Sequence, residues 1–116
     1  MKTHSRYEAT SDWLIDIVSI LPPPPPPVPL DPDQIEALAR SIVELGGVIH
    51  PLIVAKAGVN ADGEDQFRLV AGDLQYAAAV RALELDPKQE MVRAYIAQTP
   101  EQELAFQRQL AILAQA

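Results

Sequence analysis

Six consecutive prolines, Pro22 to Pro27, followed by Val28 and Pro29, divide this chain. Each proline fixes φ and removes a backbone donor, so the run can join neither a helix interior nor a central strand. It is expected to form an extended polyproline II arm over residues 22–29. Two roles follow from that conformation. The arm is either a stiff spacer across the domain surface or a ligand for an aromatic-lined groove on a protein partner. No basic residue flanks the run to orient a partner, which favours the spacer.

The chain has 116 residues, enough for one domain with one core. Hydrophobic residues make up 48%, so folding can offset chain entropy. Cysteine is absent, which excludes disulfides, thiolate metal sites and cysteine nucleophiles, and fits a reducing cytoplasm. Nine basic against 16 acidic residues leave a net charge of −7. Such a surface repels a phosphate backbone, so broad DNA binding by this chain alone is not expected. No apolar run approaches the roughly 20 residues of a membrane span. The apolar stretch Trp13–Leu21 contains Asp16 and lacks the basic flank of a signal peptide.

Residues 1–12 are polar and expected to be a flexible N-terminus, with one domain over residues 13–116. Trp13–Leu21 is rich in β-branched residues and reads as a strand. Asp16 and Ser19 place it at an edge. Asp31-Pro32-Asp33-Gln34 combines an N-cap, a proline suited to the first helical position and a capping box. Ile35, Leu38, Ala39, Ile42 and Leu45 continue at helical spacing until Gly46-Gly47 stops the helix. Leu52–Ala57 reads as a strand, Gly58–Asp65 as a polar hairpin-like loop, and Gln66–Ala71 as a third strand. Asp73–Leu85 is helical, Glu90–Ala97 is a fourth strand, and Thr99-Pro100-Glu101-Gln102 opens a last helix. The order β-α-β-β-α-β-α predicts an α/β fold. It should hold a small mixed sheet of about four strands, three helices and two right-handed crossovers. The ending Ala111–Ala116 lacks a capping glycine and reads as a helix cut short, so a longer parent protein is expected.

The junction from Phe67 to Ala79 is the part that bears on chemistry. A short strand turns at Gly72 straight into an alanine-rich helix. Free N–H groups and the helix dipole at such a junction favour an anion such as phosphate. The first turn, however, holds Asp73, Leu74 and Gln75, without Lys or Arg.

Three segments, Leu30–Ile42, Leu45–Val54 and Leu69–Ala78, together resemble the N-terminal domain of the ParB family, which shares its fold with sulfiredoxin. The resemblance runs from about Ile15 to the end of the fourth strand. The family's first motif usually reads Gly-x-x-Gln-Pro; Gly47-Val48-Ile49-His50-Pro51 matches it except at His50. The second usually reads Gly-Glu-Arg-Arg; Gly72-Asp73-Leu74-Gln75 keeps the glycine and an acid but neither arginine. The resemblance implies that these nine residues form a site for a nucleotide, with magnesium as its companion ion. It implies a domain of a DNA partition or gene-regulatory protein, cytoplasmic and nucleoid-associated, which the lost arginines and the acidic balance make a non-catalytic one. DNA would be read by another domain or partner; the family pairs through this region when nucleotide is bound, which leaves a homodimer open for this chain. Each lost arginine removes a charge-assisted contact worth roughly 1.5–3 kcal/mol. Losing both weakens triphosphate binding by on the order of a hundredfold or more, leaving a weak or vestigial cleft. Sulfiredoxin has a cysteine where this chain has Asp73, and without a thiol that activity is excluded.

Individual residues carry further expectations. His50 either contacts a base edge or phosphate, or is an ordinary loop histidine. Asp73 either binds magnesium or complements the helix dipole. Together they define an alternative function, a nuclease or nucleotide-hydrolysing enzyme using a magnesium ion. Neither motif holds a Lys or Arg to stabilise developing charge, so no catalytic residue is assigned. Asp62, Glu64 and Asp65 lack the ligand spacing of a calcium loop, and two histidines, His4 and His50, are too few for zinc. No metal site is expected. Tyr76 and Tyr95 read as half-buried packing residues. A third reading makes the chain an interaction module acting through Pro22–Pro29.

Overall fold

The computed structural model describes residues 11–115. Residues 1–10 of the N-terminus expected to be flexible, His4 among them, lie outside the described residues, as does Ala116. Four strands form one mixed sheet: β1 (Trp13–Asp16), β2 (Leu52–Val59), β3 (Asp65–Ala71) and β4 (Met91–Ala97). Three helices accompany it: α1 (Pro32–Leu45), α2 (Asp73–Leu85) and α3 (Pro100–Ala114). The spatial order is β1-β4-β2-β3. β1 and β4 are antiparallel, as are β2 and β3, while β2 and β4 run parallel. One parallel pair allows one crossover between parallel strands, not the two expected, because β1 runs opposite to β2. β1 lies at an edge, as its polar interruptions predict.

The first strand is shorter than its β-branched composition suggests. It ends at Asp16, and Ile17–Ser19 form a 3₁₀ turn. The Asp16 carboxylate accepts from the Val18 N–H at 3.3 Å, and the Ser19 hydroxyl donates to the Asp16 carbonyl at 2.6 Å. These local bonds compete with a strand ladder. Beyond the turn the chain reaches the opposite edge, where the Leu21 N–H donates to the Phe67 carbonyl at 2.8 Å. The proline arm then lies on the domain with a three-residue repeat. Pro23 and Pro26 are half-buried while the other prolines of the arm are exposed, as a threefold helix resting on one face requires.

α1 begins where Asp31 and Pro32 predict. The Asp31 carboxylate accepts from the Asp33 N–H at 2.9 Å, one residue short of the N3 position of a capping box. The helix ends on Gly46 at φ 79°, whose N–H donates to the Ile42 carbonyl. In α3, Thr99 accepts from the Gln102 N–H, while the Gln102 side chain reaches back to the Gln98 N–H at 2.7 Å. The β2–β3 hairpin is tighter than the predicted eight-residue loop. Asn60 gathers the turn by accepting from the Asp62 and Glu64 N–H groups at 2.9 and 3.0 Å, so both strands extend toward it.

The core lies between α1, α2 and one sheet face. Leu52, Val54, Phe67, Val92, Ala94 and Ile96 meet Ala39 and Ile42 of α1 and Ala78, Ala79 and Ala82 of α2. Alanine at the α2 positions lets helix and sheet approach closely. Arg81 joins the two helices. It donates to Glu36 at 2.8 Å across the pair and to Glu84 at 3.1 Å on its own helix. The hydrogen bond from Arg81 holds the Glu36 carboxyl below its ordinary range. The other sheet face carries α3, on which Phe106 stacks against Tyr95 with ring centroids 6.1 Å apart. Arg68 forks onto Glu103 at 2.8 and 2.5 Å. No residue of α3 is buried.

Candidate functional site

The sheet register explains why two distant motifs meet. β2 starts and β3 ends at the same end of an antiparallel pair, with Ile53 opposite Ala71. The loop that feeds β2, Gly47–Pro51, therefore emerges beside Gly72, which leaves β3. Gly72 sits at φ 106°, and a Cβ there would stand 3.0 Å from Leu52 Cδ2. Only glycine permits both that backbone and that approach. Leu52 directly follows Pro51, so this contact brings the two motifs together.

Between them lies a cavity of about 240 Å³. Gly47, Val48, Ile49 and His50 form one wall, and Leu74 and Gln75 of the first turn of α2 form another. The last turns of α1 close it with Leu38, Ser41, Ile42 and Leu45. Six of the nine residues singled out from the sequence thus share one cavity. Pro51, Gly72 and Asp73 do not line it. Pro51 and Gly72 shape the approach, while Asp73 faces a separate groove of about 460 Å³. That groove runs under the proline arm, from Pro22 to Pro26, against Tyr76 and Val80. Burial there raises the Tyr76 phenol above its ordinary pKa.

The walls of the smaller cavity are mostly hydrocarbon, with Ser41, His50 and Gln75 as the polar side chains. No Lys or Arg is among its lining residues. Gly72, as N-cap of α2, has no side chain to cap the helix, and Asp73 in the first turn complements the dipole. Behind the loop stands a cation that the sequence does not mark. Arg93 of β4 donates to the carbonyls of Val48 at 3.0 Å and Ile49 at 3.3 Å, and pairs with the Asp12 carboxylate. His50 and Asp73 open into different spaces. Among the described residues, no group of three or more His, Asp or Glu could hold a metal ion. No helix among them is long and apolar enough to cross a membrane.

This arrangement defines a small α/β domain with a mostly apolar hollow at a strand-to-helix junction. The chain belongs to the family described as the ParB N-terminal domain, whose family model matches residues 5–110. Two solved structures of similar fold are the C-terminally truncated chromosome-partitioning protein ParB from Caulobacter crescentus, complexed with CTP-gamma-S and with the centromeric parS site. The first has 23% sequence identity and a TM-score of 0.58, covering 83% of this chain and 49% of that one. The second has 22% identity and a TM-score of 0.54, covering 80% of this chain and 44% of that one. This chain thus spans about half the length of either. No curated protein matches the chain.

Proposed function

We propose that this chain is the nucleotide-facing module of a partition or gene-regulatory protein and catalyses no reaction of its own. Its cleft holds a nucleotide weakly, through backbone groups, Ser41, His50 and Gln75, in place of arginine forks. The observation that supports this reading is the single cavity shared by Gly47–His50 and Leu74–Gln75, whose lining holds no Lys or Arg. Without a guanidinium at the α2 N-terminus, a triphosphate keeps only the helix dipole and the backbone N–H groups as partners. DNA contact falls to another domain or partner, because the net charge of −7 repels a phosphate backbone. The separation of His50 from Asp73 counts against the magnesium-dependent nuclease, whose two groups would have to converge on one ion.

Calorimetric titration with CTP, ATP and GTP in the presence of magnesium tests the reading. Dissociation constants near the millimolar range are expected, with CTP no weaker than the purines. Micromolar binding of any of the three would show that the missing arginines matter less than argued. A plasmid-nicking assay with magnesium or manganese, beside Asp73→Ala, tests the catalytic alternative. Cleavage lost in that variant would overturn the non-catalytic assignment.

A further inference from the structure

We infer that Arg93 is a positioning residue that sets the wall of the cavity and ties it to the segment preceding β1. One guanidinium bridges three stretches of chain. Its Nη1 donates to the Val48 and Ile49 carbonyls at 3.0 and 3.3 Å. Its Nε donates to the Asp12 carboxylate at 3.0 Å, and Nη2 donates to the same oxygen. Arg93 itself is fixed in β4 opposite Leu14 of β1. The two loop carbonyls belong to residues that line the cavity, so the fork holds the wall from its outer side.

The chemistry requires arginine. A planar fork with five N–H donors serves two carbonyls and a carboxylate at once, whereas a lysine ammonium presents a single point. The Asp12–Arg93 pair is partly exposed, at 42% and 38%, and contributes little stability as an ion pair. Its effect is orientational: Asp12 holds one side of the guanidinium and leaves the other facing the loop. Ile49 is 71% exposed, so core packing alone does not fix that peptide. The inference rests on reading Gly47–His50 as the site wall, but its test needs no nucleotide.

Backbone ¹⁵N relaxation on the unliganded chain provides that test. In the native chain Ile49 and His50, whose N–H groups share peptide planes with the two bonded carbonyls, should show order parameters of ~0.85, the level of rigid backbone. Arg93→Met keeps the aliphatic stem and removes the donors; both values should fall below ~0.6 while β2 and β4 stay unchanged. Arg93→Lys should recover part of the loss, since an ammonium still reaches one carbonyl. Asp12→Ala leaves β4 intact and should give an intermediate loss, which keeps the inference testable should Arg93→Met not fold. A loop that stays rigid in Arg93→Met and Asp12→Ala overturns the inference, as does disorder spread evenly through β2 and β4. A failed CTP titration of the native chain would count against the nucleotide reading and leave this one standing.

Discussion

Replacing Gly72 by alanine tests whether the two motifs meet as closely as the structure shows. Gly72 sits at φ 106°, ψ 41°, where an L side chain is strained by about 1–2 kcal/mol. Its new Cβ would lie 3.0 Å from Cδ2 of Leu52, a side chain with no solvent exposure. Displacing a packed core group costs about 1–3 kcal/mol more. Restricting the unfolded chain returns about 0.4–1 kcal/mol, which leaves a net loss of about 3 kcal/mol. With an unfolding entropy of about 2.1 cal/mol/K per residue, that loss lowers Tm by about 12 °C. Two other glycines separate the causes. Gly63 has φ 80° with nothing within 4 Å, so Gly63→Ala carries strain without a clash and, after the same unfolded-state return, should lower Tm by about 3 °C. Gly47 has open space and no left-handed φ, so Gly47→Ala should melt at or slightly above the native temperature. Circular-dichroism melts of the three variants rank them. If Gly72→Ala melts no lower than Gly63→Ala, the close approach of Gly72 to Leu52 contributes nothing and the convergence argument fails.

Other expectations follow from the same contacts. Arg68 donates two hydrogen bonds to Glu103 and holds its carboxyl below the ordinary range. A depressed carboxyl stabilises the fold above its unfolded pKa of about 4.3, and that contribution is lost as pH falls through the lower folded value. Native protein should therefore lose the Tyr95–Phe106 near-ultraviolet signal in acid below that point, and Glu103→Gln should flatten the dependence while costing about 1 kcal/mol at neutral pH. An equally steep acid loss in Glu103→Gln would refute the assignment. Asp31→Ala removes the acceptor for the Asp33 N–H and should cost about 1 kcal/mol in denaturant titration; an unchanged midpoint would show the cap to be idle. Leu74→Arg and Gln75→Arg each place a guanidinium in the cavity wall and should tighten CTP about tenfold apiece by calorimetry. No change in either variant would mean that the hollow is not the nucleotide site.

The sequence marks helix ends well because local chemistry decides them. Asp31-Pro32 and Thr99-Pro100 start helices where predicted, and Gly46 stops one. Asp73–Leu85 matches its predicted bounds. The first strand was harder to read. Its β-branched residues run on to Ile20, but Asp16 and Ser19 bond the backbone locally and turn the chain away from β4. Composition cannot weigh that competition. The α3 helix shows a different limit. Its Leu104, Ile112 and Leu113 are apolar yet 56%, 66% and 62% exposed. A sequence pattern records which residues favour burial but not whether a surface is present to bury them.

The site divides in the same way between what neighbours decide and what topology decides. His50 and Leu74 reach one cavity because β2 and β3 pair antiparallel, a long-range fact that the paired motifs nonetheless signal. Asp73 adjoins Leu74 in sequence but opens elsewhere, since successive helical residues point about 100° apart. Motif membership therefore does not fix which side of the helix a residue serves. Arg93 lies 45 residues from Val48, in a strand whose pattern gives no sign of a contact beyond its neighbours. Only the order β1-β4-β2 brings Asp12, Arg93 and the loop together. A count of charges along the chain treats Arg93 as one more solvated cation. In the fold it faces carbonyl oxygens and a carboxylate, so its donors are committed before any phosphate arrives. The cavity is therefore short of positive charge even with an arginine directly behind its wall, and new cations at Leu74 or Gln75 would supply what Arg93 cannot.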